Sequence, residues 1–276
     1  MAGTLFVVAT PIGNLEDITF RAVRVLREAS VVAAEDTRRT GLLLHHFGIR
    51  VPLVSLHAHN EGQRTESLVG RLNRGESVAL VSDAGTPAVS DPGATLVSAA
   101  VAAGIRVEPV PGASAVMAAL SASGVQGDGF TFLGFPPIRL NDRKNWFARF
   151  AQASLVGPVV FFEAPHRILR TLGEFMFLSN DQFVVFRELT KLHETVYRGS
   201  AAEIIGALSV IAGEFTVVAP QKVEDSAARV RPPDSEVAAI FGRITDKKNR
   251  AAARDVAEAT GLSANEVYEI VRRSKT

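Results

Sequence analysis

The stretch Val81-Ser82-Asp83-Ala84-Gly85-Thr86-Pro87-Ala88-Val89-Ser90-Asp91-Pro92-Gly93 holds two glycines, two prolines and two aspartates. Glycine lets backbone come close to a ligand, proline stiffens a loop, and aspartate adds charge or caps a helix. A plain linker needs none of these together, so the loop reads as a binding loop built from backbone groups and small side chains. It is not one of the common nucleotide devices. The chain has no G-x-x-x-x-G-K-[ST] for a triphosphate and no G-x-G-x-x-G after its first strand for a dinucleotide. His57 and His59, with His45 and His46 nearby and no cysteine, do not support a metal site, and none is expected.

The elements around this loop place it. Val78 to Val81 reads as a buried strand and Ala94 to Gly104 as a helix, so the loop lies at a strand end. That is where open α/β sheets bind ligands. Strands at Thr4–Ala9, Val31–Ala34, Val51–Leu56 and Arg106–Val110 alternate with helices at Ile18–Ala29, around Leu42–Leu44, at Glu61–Arg74 and after Pro111. This alternation predicts a mainly parallel sheet with helices on its faces. Later strands at Phe130–Phe135, Val159–Glu163, Gln182–Leu189 and Gly213–Ala219 predict a smaller mixed sheet. Helices near Asn141–Ala153, His166–Phe177 and Ala201–Leu208 separate them. The expected division is an N-terminal α/β domain over residues 1–125, a C-terminal α/β domain over 126–225, and a linker with a helical tail over 226–276. The linker is the polar, proline-bearing run Glu224–Ser235. The tail shows two helical patterns in Lys247–Lys275 around Gly261, like a helix-turn-helix.

Composition narrows the class. The chain has 276 residues, 47% hydrophobic and 21% charged, as expected of a globular protein with a substantial core. Cysteine is absent, which excludes disulfides, thiolate sites and cysteine nucleophiles and fits a reducing cytoplasm. The N-terminus has no basic n-region, and no apolar run reaches the roughly 20 residues a membrane span needs, so a cytoplasmic location is expected. The net charge of +1 argues against a uniformly cationic surface but leaves local patches. Arg139, Arg143, Lys144 and Arg149 lie within eleven residues that hold one acid, Asp142, and Ser226–Thr276 has ten basic against seven acidic residues. Such patches could contact phosphate.

Seven ordered blocks carry a resemblance. They are Thr10–Ile18, Ala34–Arg38, Ser82–Pro87, Pro111–Ala115, Gly134–Pro137, Glu163–Arg167 and Arg187–Lys191. Together they resemble the ribosomal RNA small subunit methyltransferase I family, within the tetrapyrrole methylase-like superfamily. The resemblance implies a two-domain fold with S-adenosylmethionine in the cleft between domains, a homodimer, and 2′-O-ribose methylation of a decoding-site cytidine in 16S rRNA. Ala164, Ile138-Arg139-Leu140 and Ala219-Pro220 depart from the family pattern, where a serine, a lysine-rich run and a glycine are expected.

Carried onto this chain, the resemblance implies that Asp83, Ala84, Gly85, Thr86, Val89, Ser114 and Ala115 hold the cofactor, with Pro11 beside them. Phe162, Leu189 and Ala219 would cover the adenine; core packing is the other reading for Phe162 and Leu189. Gly13 and Asn14 would lie beside the acceptor, in a loop that reads equally as a tight turn. Arg38, Arg139, Arg143, Lys144 and Arg167 are expected to contact rRNA. A ribose hydroxyl is a poor nucleophile when neutral, so a proton acceptor is expected among Glu35, Asp36, Asp91, Glu163 and His166. Glu35 and Asp36 read equally well as a helix cap with a structural ion pair. Two other functions fit the same residues: methylation of a small molecule such as a tetrapyrrole, or a non-catalytic ribosome-assembly protein that binds RNA. The basic stretch and tail favour RNA over a tetrapyrrole, and the intact binding loop argues against a non-catalytic role.

Overall fold

Val31-Val32-Ala33-Ala34 and Val78-Ala79-Leu80-Val81 are buried at every position, as central strands of a parallel sheet must be when helices cover both faces. The computed structural model describes residues 2–176, 182–222, 234, 237, 238, 241, 253, 256, 257 and 262–274. Strands β1 (Thr4–Val8), β2 (Val31–Ala34), β3 (Leu53–Ser55), β4 (Val78–Val81) and β5 (Arg106–Val110) form a sheet in the order β3-β2-β4-β1-β5. Every ladder in it is parallel. Side chains alternate with a period of two. Val32, Ala34, Ala79 and Val81 pack against α1 (Phe20–Glu28) and α2 (Thr37–His46). Val31, Ala33, Val78 and Leu80 pack against α3 (Glu61–Asn73) and α4 (Ala94–Ala102).

From β2 the chain crosses to β3 on one side, and from β4 it crosses to β5 on the other. The loops after these two neighbouring strands therefore diverge, which opens a crevice at their carboxyl ends. Glu35 and Asp36 leave β2 there, and Ser82-Asp83 leave β4.

The second sheet runs β6-β7-β10-β8-β9, from β6 (Thr131–Phe132), β7 (Val159–Glu163), β8 (Phe183–Arg187), β9 (Thr195–Gly199) and β10 (Phe215–Ala219). Only β6–β7 is parallel, so the sheet is mixed, as expected. Its strand β9 was not anticipated. One face packs against α6 (Leu140–Val156), α7 (Pro165–Phe175) and α8 (Ala201–Ala207) through Trp146, Phe150, Phe161, Phe175 and Phe183. The other face takes Val116 and Ala119 of α5 (Ala115–Ser123).

Residues 1–222 form one compact unit and 223–276 another. In the latter, α9 (Ala264–Arg273) starts with a capping box between Ser263 and Glu266 and packs Val267, Ile270 and Val271 with Val237, Ala253 and Val256. The linker expected over Glu224–Ser235 and the first helix of the expected tail lie, but for isolated positions, outside the described residues. Among the described residues no helix is long and apolar enough to cross a membrane.

Candidate active site

The Ser82–Gly93 loop is held by backbone rather than by large side chains. The Thr10 and Gly85 amides each donate to the other's carbonyl, at 2.9 and 3.0 Å, closing an antiparallel bridge between the loops after β1 and β4. Gly85 has φ +82°, and a Cβ there would lie 3.2 Å from Ile12 Cγ2. Ala88 and Ser90 also have positive φ, at 63° and 66°. Across the cleft Glu188 and Thr190 do the same at 55° and 66°. Left-handed non-glycine residues are uncommon and gather at ligand sites, where surrounding structure holds them in place. Glu61 accepts from the Gly93 and Thr95 amides at 2.9 and 3.0 Å and pins the far end of the loop to α3.

The cleft beneath this loop has a volume of about 360 Å³. Its parallel-sheet wall is made of Glu35, Asp83, Ala84, Gly85, Thr86, Val89, Asp91, Ser114 and Ala115. Its mixed-sheet wall is made of Phe135, Phe162, Glu163, Leu189, Glu214 and Thr216. The structure thus brings together nine of the residues expected to hold a cofactor. Pro11 instead lines a second cavity of about 310 Å³, together with Gly13, Leu15, Arg39, Leu42, Leu43 and Lys191. Ile12, Arg39, Asp83 and Ala84 belong to both cavities. The Asn14 amide donates to Thr190 Oγ1 at 3.2 Å, and a Cβ on Gly13 would collide with Lys191. This loop therefore needs glycine to meet the mixed-sheet side.

Ala219 is a correction. Strand β10 is antiparallel to β7, so Phe215 and Thr216 pair with Glu163 and Phe162 at the cleft end, whereas Ala219 pairs with Val159 at the opposite end and is core. The β10 residues that line the cleft are therefore Phe215 and Thr216.

The proton-acceptor candidates separate by their partners. Glu163 is 1% exposed and saturated: Arg167 lies at 2.7 Å, the Thr171 hydroxyl donates at 2.5 Å and the Ala164 amide at 2.7 Å. It is a structural ion pair, not a poised base. Asp36 caps α2, accepting from the Arg38 amide at 2.8 Å, and the Arg38 guanidinium holds its carboxyl well below the usual range. His166 is exposed on α7 and lines neither cavity. Glu35 lines the cleft with one long contact, from the Asp83 amide at 3.5 Å. Burial pushes its carboxyl up, and the negative charge of Asp83 adds to the effect. Asp91 is pushed up to about 6 by burial and by the charge of Glu35.

The expected rRNA contacts divide as well. Arg143 is 3% exposed; it pairs with Glu174 at 2.7 Å and donates to Thr171 at 2.7 Å and to the Pro137 carbonyl at 3.1 Å. Arg167 is engaged by Glu163 and the Pro136 carbonyl. Both therefore anchor the mixed-sheet lobe instead of facing a polyanion. Arg139 and Lys144 are exposed. Arg38, 89% exposed at its side chain, folds back on Asp36 and lines neither cavity. Its neighbour Arg39 reaches the cleft and pairs with Asp83 at 3.1 Å. Sequence reasoning missed Arg39, although a capping aspartate at position 36 is a signal that the next turn of α2 faces the strand ends. It also gave no role to Phe135, whose ring lies 5.5 Å from that of Phe162.

Residues 4–205 match the family of tetrapyrrole (corrin/porphyrin) methylases. The chain is 44% identical to the ribosomal RNA small subunit methyltransferase I of Xylella fastidiosa, over 96% of this chain and 98% of that protein. It is 40% identical to the protein of the same name from Halalkalibacterium halodurans, over 97% and 94%. Among solved structures it is similar to a uroporphyrin-III-C-methyltransferase from Thermus thermophilus, with a TM-score of 0.57 and 22% identity over 79% of this chain and 94% of that one. It is also similar to a diphthine synthase, with a TM-score of 0.58 and 18% identity over 80% and 92%. At these identities the structural likeness concerns the fold.

Proposed function

The chain belongs to the tetrapyrrole methylase family, and from that premise we propose that it transfers a methyl group from S-adenosylmethionine to the ribose 2′-oxygen of a decoding-site cytidine in 16S rRNA. The observation that carries this reading is the near full-length 44% identity to a protein named for small-subunit rRNA methylation. The substrate is 16S rRNA or the small ribosomal subunit, and the acting species is a homodimer in the cytoplasm.

The cleft suits the donor. A thin wall of Ala84, Gly85, Thr86, Ser114 and Ala115 leaves room for a folded nucleoside and offers backbone groups to its polar edges. Phe162 and Leu189 give apolar faces for an adenine, and Asp83 and Asp91 give negative charge for a sulfonium and an ammonium. The start of α5, capped by Ser114, favours a carboxylate. When bound, the donor supplies a methyl carbon on a positively charged sulfur that leaves as a neutral thioether.

The chain's own part is orientation and proton uptake. Glu35 would take up the proton of the ribose hydroxyl as that oxygen attacks the methyl group, and would pass it to solvent. Of the candidates, Glu35 combines a place in the cleft, a raised affinity for a proton and few competing partners. Holding the two reactants in line supplies much of the remaining acceleration. Arg139 and Lys144 give exposed cations for phosphates along α6.

The test is to incubate the protein with S-adenosylmethionine and small ribosomal subunits, with a tetrapyrrole as control, and to map the methyl group by mass spectrometry. A 2′-O-methyl group on one decoding-site cytidine is expected. Methyl transfer to the tetrapyrrole, or none to the subunit, would overturn the reading.

A further inference from the structure

We infer that the second cavity receives the extruded acceptor nucleotide, and that Arg39 holds its phosphate at the wall shared with the donor cleft. The inference rests on the rRNA reading above and names a residue that reading leaves unassigned.

Methyl transfer needs donor and acceptor to meet, and the two cavities meet at Ile12, Arg39, Asp83 and Ala84. A ribose inside a stacked strand cannot reach such a wall, so a nucleotide must leave the stack. The second cavity, about 310 Å³, lies at the small end of the range of roughly 300–1000 Å³ for ligand pockets, suited to a single nucleoside. Pro11, Leu15, Leu42 and Leu43 give it an apolar side for a base.

The same cavity also carries positive charge. Arg39 and Lys191 are the cations lining the two cavities. Lys191 already has two carboxylates, Glu188 at 2.9 Å and Glu214 at 3.0 Å. Among the described residues Arg39 has one side-chain hydrogen-bond partner, Asp83, reached through one guanidinium nitrogen, and 55% of its side chain faces solvent. Its remaining donors match a phosphate in a planar fork. Asp83 is held independently by the Asp36 amide at 3.0 Å, so it keeps its position when Arg39 turns to a phosphate. The same cation also offsets the acids Glu35 and Asp83, which would otherwise repel RNA from the donor cleft.

The experiment uses the full-length protein as Arg39→Ala, Arg39→Lys and, as a surface-charge control, Arg24→Ala. S-adenosylmethionine affinity is measured by calorimetry, and KM for small ribosomal subunits is measured over a salt series. Arg39→Ala is expected to raise that KM at least tenfold, keep donor affinity within about threefold, and lower the salt slope by about one. Arg39→Lys restores the slope but only part of the KM, because an ammonium cannot fork. Arg24→Ala matches the wild type. If the wild type methylates subunits while Arg39→Ala leaves KM and slope unchanged, or loses donor affinity as much as RNA affinity, the inference falls and the rRNA reading stands. A wild type that binds donor but methylates no rRNA removes both.

Discussion

Two glutamates stand at strand ends on facing walls of one cleft, and their surroundings differ completely. Glu163, on the mixed-sheet wall, has every oxygen engaged by Arg167, Thr171 and the Ala164 amide. Glu35, on the parallel-sheet wall, has one long contact and two acidic neighbours. The contrast extends to the walls themselves. The mixed sheet is braced by interlocking aromatic rings and by the Arg143–Glu174 and Arg167–Glu163 pairs, in which Arg143 and Glu163 are buried. The parallel sheet presents small side chains and three clustered carboxylates, Glu35, Asp83 and Asp91, with Arg39 paired to Asp83. One wall holds its carboxylate in a saturated ion pair, and the other gathers acids whose proton affinities are raised, as chemistry requires. Position at a strand end does not distinguish the two glutamates; the saturation of their partners does.

The largest expected effect tests the small-residue wall. Ala84→Phe fills the boundary of both cavities without demanding a left-handed backbone, and should lower S-adenosylmethionine affinity at least a thousandfold, about 4 kcal/mol. Its melting temperature should stay within a few degrees of wild type. Calorimetry and thermal unfolding give both values, and retained affinity would mean that this wall does not touch the donor.

The paired glutamates come next. Glu163→Gln leaves Arg167 buried without its counter-charge and should cost about 3 kcal/mol of stability in urea unfolding. Glu35→Gln should leave stability nearly unchanged and lower kcat about a hundredfold, or about 2.7 kcal/mol. In the wild type, kcat should fall as the pH drops through the raised Glu35 value, and that limb should be absent from Glu35→Gln. If the two variants exchange phenotypes, the roles of the walls are reversed.

The sequence disclosed the parallel wall far better than the mixed one, for physical reasons. Glycine, proline and aspartate between a buried strand and a helix have local meanings, so Ser82–Gly93 could be read as a binding loop from its residues, whereas the roles of single residues within it came from the family resemblance. Ala219 misled because its place depends on β10 running antiparallel to β7, and strand direction leaves no trace within a strand. Strand β9 escaped because Thr195-Val196-Tyr197-Arg198-Gly199 alternates only weakly at a sheet edge. Arg143 sat in a basic run that looks solvated, and only the approach of Glu174 and Thr171 from α7 shows that it is buried. Arg39 was hidden for a related reason: of two adjacent exposed arginines, Arg38 folds back on the cap Asp36 and only Arg39 reaches Asp83 in the cleft.

The smallest effect asks whether the parallel wall truly carries electrostatic strain. Asp91 titrates at about 6 because burial, and then the charge of Glu35, oppose its ionisation; its ordinary value is 3.8. The folded chain therefore binds this proton more tightly than the unfolded chain. The stabilisation that results is fully present below about pH 4 and is lost as the pH rises through about 6. At pH 8 the ionised Asp91 weighs against the fold, so Asp91→Asn should stabilise the protein there by about 1 kcal/mol, allowing for the solvent that reaches this half-buried side chain. The gain should shrink towards zero by pH 4, where the wild-type carboxyl is already neutral. Urea unfolding at the two pH values measures the difference. An equal gain at both would mean that the carboxylate sits without penalty, and that the parallel wall is as relaxed as the one facing it.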